Sequence, residues 1–166
     1  MAPFFNKKLG MKEERLHIGT SGWSYKHWKG LFYPPEVKTT DWFNYYTQFF
    51  DSAEINTSFY HLPKQQTVIN WAAKAPSGFT FCAKLSRYIT HLKKLRDVDE
   101  PLQRFFELFE PLKTKMGPVL VQLPPMLKFQ YDIAENFFNQ LMQFKEYGFV
   151  LEVRHTTWLQ EDSLTL

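Results

Sequence analysis

Cysteine is nearly absent: Cys82 stands alone in 166 residues. One thiol cannot close an internal disulfide or build a zinc–thiolate site, and it fits a reducing compartment. Long apolar runs are missing too. No stretch approaches the ~20 residues a membrane span needs, and Met1 to Arg15 holds no apolar run of signal-peptide length. The expectation is a cytoplasmic protein with no membrane association, whose residues 1–15 form a short flexible N-terminus. The chain also lacks a dominant charge. Its formal net charge is +3, too little by itself to imply nucleic-acid binding. The nucleotide fingerprints GxGxxG and GxxxxGK[ST] do not occur, nor do the metal-ligand spacings HxxxH and HxxEH.

What is abundant is bulk. Hydrophobic residues make up 44%, charged residues 22% and aromatics 18%, with 17 phenylalanines. That is the composition of a folded chain with a large core, not a disordered one. No composition break divides it, so residues 16–166 read as one domain.

The repeating pattern is a short strand-like run, a polar stretch, then an amphipathic stretch. Strands are expected at His17 to Ser21, Ser52 to Thr57, Phe79 to Lys84, Pro118 to Leu123 and Phe149 to Val153. Between them, helical spacing picks out Trp42, Phe43, Tyr46, Phe49 and Phe50 after a cap at Thr39 or Thr40. A short helix is expected over Lys64 to Lys74. Leu102, Phe105, Phe106, Phe109 and Leu112 form the next stripe, capped by Asp97 or Asp99 and ended by Gly117-Pro118. The last comprises Ile133, Phe137, Phe138, Leu141 and Met142, capped by Asp132 and stopped at Gly148. Strands alternating with helices imply a parallel sheet with helical crossovers, either a barrel or a doubly wound open sheet.

Polar residues sit late in these strands. Side chains alternate faces, so Glu54 pairs with Asn56, Cys82 with Lys84, Leu120 with Gln122, and Glu152 with Arg154. Charged groups are seldom buried unpaired. Polar strand ends therefore point to a shared wet mouth at the C-terminal edge, where parallel α/β folds place their sites. The plainer alternative is that Glu54, Lys84, Glu152 and Arg154 pair with one another as structure. The loop from Gly19 to Tyr25 has glycines and hydroxyls that can bring backbone amides to an anion. Trp23, Tyr25, Trp28, Phe59, Tyr60 and Trp158 follow strand ends, where they can stack on a base or a sugar or simply pack. His61, His91 and His155 could join Glu54 and Glu152 around a metal, but their spacing is not diagnostic. No metal is assigned, and the cofactor is unknown. Arg87, Lys93, Lys94 and Arg96 can meet phosphates or form a solvated face.

Six stretches then occur in order: IGTSGWSYKHW, FYPP, EINTSFYHLP, FTFCAKLSRYITH, GPVLVQLPP and LEVRHTTW. Across them, from about Leu16 to Trp158, the chain resembles the YecE-like family, also called domain of unknown function 72. The resemblance implies a TIM-type (β/α) barrel rather than an open sheet. It implies that Trp23, Tyr25, Glu54, Asn56, Tyr60, Lys84, His91, Gln122, Glu152, Arg154 and His155 match the family's signature positions. The family has no agreed activity. Nucleic-acid binding has been suggested for it by analogy with barrel endonucleases, an analogy of fold only. Members continue through three further strands, so the expectation is a barrel truncated after about five strand–helix units, with open edges: a truncated gene product, a fragment, or half of an assembly that another chain completes.

Three functions follow as expectations. The first is an enzyme acting on a phosphorylated or sugar-like small molecule. Its catalytic candidates are Glu54, Glu152 and Lys84, with either glutamate as general acid or base. Its binding candidates are Trp23, Tyr25, Asn56, Tyr60, His91, Gln122, Arg154 and His155. The second is a nucleic-acid-binding module. The third is an inactive truncated chain or interaction subunit.

Overall fold

The computed structural model describes residues 16–166; the expected flexible segment 1–15 lies outside the described residues. Five strands, β1 (Gly19–Thr20), β2 (Ser52–Ile55), β3 (Thr80–Lys84), β4 (Met116–Gln122) and β5 (Phe149–Glu152), form one sheet. All neighbours are parallel, in the order β1-β2-β3-β4-β5. A doubly wound sheet reverses its strand order at a switch point, and these five strands show no reversal. The helices are α1 (Trp42–Tyr46), α2 (Thr57–Tyr60), α3 (Gln65–Lys74), α4 (Asp99–Phe109), α5 (Tyr131–Leu141) and α6 (Glu161–Leu164). No helix among the described residues is long and apolar enough to cross a membrane.

Alternation along the strands decides which face the helices cover. Ala53, Ile55, Phe81, Ala83, Val119 and Val121 are buried in the same cluster as Val68 of α3, Leu102, Phe105 and Phe109 of α4, and Phe137 and Leu141 of α5. Each large side chain removed from water contributes about 1.5–3 kcal/mol, so this face dominates the stability. The residues between them, Glu54, Cys82, Lys84 and Leu120, are only partly buried and point to the other side.

β1 is two residues long where five were expected. Its short ladder is supplemented by Tyr46. The Thr20 amide donates to the Tyr46 phenol at 2.9 Å, and the phenol donates onward to the Ser52 carbonyl at 2.8 Å. Gly19 lies so close to β2 that a Cβ there would sit 2.1 Å from the Ser52 carbonyl oxygen.

Several boundaries differ from the sequence reading. α1 stops at Tyr46 and leaves Phe49 exposed; its five residues are all aromatic or Asn, weak helix formers. β2 ends at Ile55, two residues before the expected Thr57, and α2 begins at Thr57 itself. There the Ser58 hydroxyl donates to the carbonyls of Ile55 (2.7 Å) and Lys84 (2.6 Å), fixing the turn between two strand ends. Asp97, Asp99 and Asp132 cap no helix; Asp99 and Asp132 sit instead in first turns, where the helix dipole favours negative charge. Gly117 and Pro118 belong to β4 rather than ending a helix. The β3–β4 register shifts between Phe81 and Ala83, an irregularity that accommodates a proline without its amide proton.

The close approach at Gly19 generates a test. Gly19→Ala is expected to lower the melting temperature by several degrees, because the added methyl collides with backbone, which cannot swing aside. Gly30→Ala has open space around its Cβ and pays only for its positive φ; it is expected to cost less. Thermal denaturation followed by circular dichroism compares the two.

Candidate functional site

The C-terminal ends of β1 and β2 open into a cavity of about 340 Å³ lined by Ser21, Gly22, Trp23, Ser24, Tyr25, Glu54, Ile55, Asn56, Thr57, Tyr60 and Trp71. It holds five of the residues expected at the site: Trp23, Tyr25, Glu54, Asn56 and Tyr60. Trp23 is mostly a wall, buried against Phe43, Trp71 and Phe81 at 4.9, 5.3 and 6.0 Å between centroids. Its backbone is held by the Tyr33 hydroxyl, which donates to the Trp23 carbonyl at 2.5 Å. Tyr25 folds back so that its hydroxyl donates to the Ser21 carbonyl at 2.5 Å. The phenol fills the space a Cβ on Gly22 would need, 2.9 Å away, and Gly22 has a φ of +130°. This glycine therefore serves the packing of Tyr25.

Asn56 follows β2 at the start of α2, and its side-chain oxygen is buried without a hydrogen-bond partner. Such an acceptor costs about 1–3 kcal/mol. Glu54 reaches the cavity from β2. Burial holds its carboxyl above the usual carboxylate range; Lys84 pulls the other way, and Glu152 adds to the rise. Cys82, the register partner of Glu54, has its thiol pushed up by burial and by Glu54.

On the other side of the mouth Glu152 is saturated with donors. Gln122 donates to one oxygen at 2.7 Å and Arg154 to the other at 2.8 Å. These contacts, with the hydrogen bond from Gln122 the largest, hold Glu152 below its ordinary range. Gln122 is only 8% exposed, so its amide is a fixed donor. Two glutamates at the C-terminal ends of β2 and β5, with β3 and β4 between them, thus have oppositely displaced affinities for a proton.

Lys84 makes no ion pair among the described residues. Its ammonium lies 4.5 Å from the centroid of Phe59, a cation–π contact. The His91 ring meets the same phenylalanine edge-on at 5.0 Å, and its Nδ1 bonds the Thr90 hydroxyl at 2.8 Å. Burial first, then Arg87, Lys84 and Arg154, lower the proton affinity of His91, so three cations share its surroundings. His155 stands apart. Its Nδ1 accepts from the Thr157 amide at 3.2 Å and contacts the Thr157 hydroxyl at 2.9 Å, capping the turn Thr156–Leu159.

The sequence offers no sign of Trp71 at the site, and it presents Phe59 and Arg87 only as two among larger sets of stacking and phosphate-contacting residues. Trp71 lies on α3 and carries no mark distinguishing it from core. Phe59 was one aromatic among several, and Arg87 one charge in a basic run. His61, His91 and His155 do not converge with the glutamates: no group of three His, Cys, Asp or Glu side chains lies within metal-holding reach among the described residues.

Known proteins share this arrangement of strands. The family described as protein of unknown function DUF72 matches residues 17–166. The UPF0759 protein YecE of Escherichia coli K12 is 29% identical over 141 residues, covering 84% of this chain and 48% of its own length. The chain thus spans about half the length of the curated relatives it matches. A crystal structure of a DUF72 family protein from Thermotoga maritima superposes with a TM-score of 0.73 at 29% identity, covering 90% of this chain and 59% of that one. One from Enterococcus faecalis, at 20% identity, gives 0.71 over 90% of this chain and 54% of that one, a likeness of fold alone. With a family match running from His17 to the last residue, the chain belongs to the DUF72 family of YecE-like proteins.

Proposed function

We propose that the mouth at the C-terminal strand ends is an active site for acid–base chemistry on a small phosphorylated or sugar-like molecule. The observation that carries this reading is the opposite displacement of two carboxyls at the same edge of the sheet, one on β2 and one on β5. Glu54, starved of donors and half-buried, keeps its proton longer and serves as general acid. Glu152, saturated by Gln122 and Arg154, stays ionised and serves as base or electrostatic stabiliser. Carboxyls in unlike environments divide such roles, and a positioned acid or base contributes ~10²–10⁴-fold in rate. Lys84, left without a counter-ion, meets the anionic group of the substrate. A lone half-buried thiol is compatible with a reducing, cytoplasmic setting.

We also propose that residues 16–166 form one domain and that the five strands are an arc of a TIM-type barrel. What supports this is the unreversed parallel order, the covering of one face by helices, and the likeness to the Thermotoga maritima structure. Val150 and Leu151 of β5 are 48% and 39% exposed. They are the apolar surface a closing neighbour would cover, whether it came from the same protein or from another chain.

The two glutamates are expected to titrate in order, Glu152 at lower pH and Glu54 at higher pH, in carbon-detected NMR of labelled carboxyls. Coincident titration would sink the assignment of acid and base. Stability should follow with opposite signs. A carboxyl raised in the folded state binds more protons there than in the unfolded chain, so ionising Glu54 costs stability as pH rises past the usual carboxylate range. Glu54→Gln should therefore gain in melting temperature relative to the unsubstituted chain on going from pH 4 to pH 7. Glu152 is depressed, so its contribution is present above the ordinary carboxylate range and fades as pH falls through its folded value. Glu152→Gln should be the less stable chain at pH 7, with the gap closing in acid. Against a panel of p-nitrophenyl phosphates and glycosides, either variant should lose ~100-fold in turnover; activity that survives both substitutions rejects the reading.

A further inference from the structure

The cavity and the cations lie on two sides of one ring. Phe59 meets Tyr60, which lines the cavity, at 5.0 Å and 89°. Its other neighbours are the Lys84 ammonium at 4.5 Å and the edge of His91 at 5.0 Å. The cavity side combines four aromatic residues, Trp23, Tyr25, Tyr60 and Trp71, with polar ones, among them Glu54 and Asn56, whose side-chain oxygen is unpartnered. Cation-side charge is unspent: neither Lys84 nor Arg87 has a carboxylate within salt-bridge distance among the described residues.

We infer that the mouth takes one ligand with two unlike halves, a polyhydroxylated ring in the aromatic cavity and a phosphate among Lys84, Arg87 and His91. This rests on reading the mouth as a substrate site and narrows the substrate to a sugar phosphate. A sugar ring presents C–H faces that lie flat on aromatic walls and hydroxyls that both donate and accept. Asn56 Oδ1 offers an acceptor with nothing yet donating to it, and Glu54, whose burial favours its protonated form, offers a donor whenever it holds its proton. A volume of about 340 Å³ stands near the low end of the ~300–1,000 Å³ usual for ligand pockets, room for one ring rather than several. Across Phe59, Lys84 supplies a point charge, and Arg87, at the start of the turn that carries His91, supplies a planar fork suited to two phosphate oxygens. His91, disfavoured as a cation first by burial and then by Arg87, Lys84 and Arg154, would have the part due to those three cations relieved by a dianion placed among them.

The test uses the full chain and three probes: ribose, inorganic phosphate and ribose 5-phosphate, with affinities from NMR titration. The expected result is ribose 5-phosphate binding at least 10-fold tighter than either fragment. Arg87→Ala, at an exposed position, should weaken phosphate and ribose 5-phosphate while leaving ribose unchanged. Tyr60→Ala, 58% exposed in the native chain, should weaken ribose and ribose 5-phosphate while sparing phosphate. Bound ribose 5-phosphate should also move the His91 ring titration to higher pH. The inference is overturned if ribose 5-phosphate binds no tighter than phosphate alone, if none of the three probes binds, or if His91 does not respond. Those failures leave the titration order of Glu54 and Glu152 untouched, whereas coincident titration with the expected binding would reject acid–base chemistry and keep the ligand.

Discussion

Side-chain alternation on three central strands is the constraint from which the rest follows. Once Ala53, Ile55, Phe81, Ala83, Val119 and Val121 are committed to the helices, the residues between them must face the opposite side. The helix-facing set can be wholly apolar because α3, α4 and α5 seal it. The opposite set contains Glu54, Lys84 and Glu152, whose charges cannot be sealed at a tolerable desolvation cost, and Gln122, which is buried only because its amide donates to Glu152. Parallel strands in unreversed order bring these groups to one edge together. The site is thus a by-product of where the core had to be, with the polar groups displaced to the last turn of each strand.

Along that edge, charge is distributed unevenly. Gln122 and Arg154 both serve Glu152, which leaves nothing to compensate Glu54 except Lys84 at longer range. Lys84 in turn rests on Phe59 rather than on a carboxylate. A self-neutralising structural cluster would pair Glu54 with Lys84 and pass the remaining charge to Arg154 and Glu152. The observed pattern satisfies one acid fully and leaves one acid and one base unsatisfied. Unspent groups of opposite character, held apart on rigid strand ends, are what a bound molecule can use.

The sequence made the strands and the polar edge legible because both rest on short-range periodicity. Glu54, Lys84, Gln122 and Glu152 stand out as lone polar residues in apolar runs, and the structure does bring them to one edge. Less legible was anything set by contacts across the chain. α2 could not be read from Thr57 to Tyr60, since the Ser58 hydroxyl that anchors it reaches a carbonyl on β3. The expected helix caps failed because tertiary packing, rather than local capping, set where α4 and α5 begin. Gly117-Pro118 looked like a terminator, yet a register shift lets β4 run through it. Trp71 gave no signal at all, because a helix tryptophan that lines a cavity has the same spacing as one that fills a core.

The density of aromatic residues bears on what kind of ligand the mouth can accept. A protein that reads single strands lays bases along exposed aromatics in a groove tracked by cations. Here most of the aromatics at the strand ends are spent on one another. Trp23 is walled in by Phe43, Trp71 and Phe81, and Trp158 packs edge-on against Phe129 at 5.0 Å while its indole N–H donates to the Leu127 carbonyl. The basic run is partly spent as well, since Arg96 donates to Gln130 at 2.9 Å and Lys93 lies 6.0 Å from the Tyr88 ring centre. At the mouth there remain the cavity bounded by Tyr25 and Tyr60 and the Lys84 ammonium against Phe59, while Lys94, Arg96 and Lys128 line a separate pocket of about 250 Å³ beside Trp158. An array built to follow a polymer would repeat its stacking faces and phosphate contacts along a path. The cavity at the ends of β1 and β2, with Lys84 against Phe59 behind it, shows no such repeat, which favours the proposed small-molecule reading over a polymer-binding one.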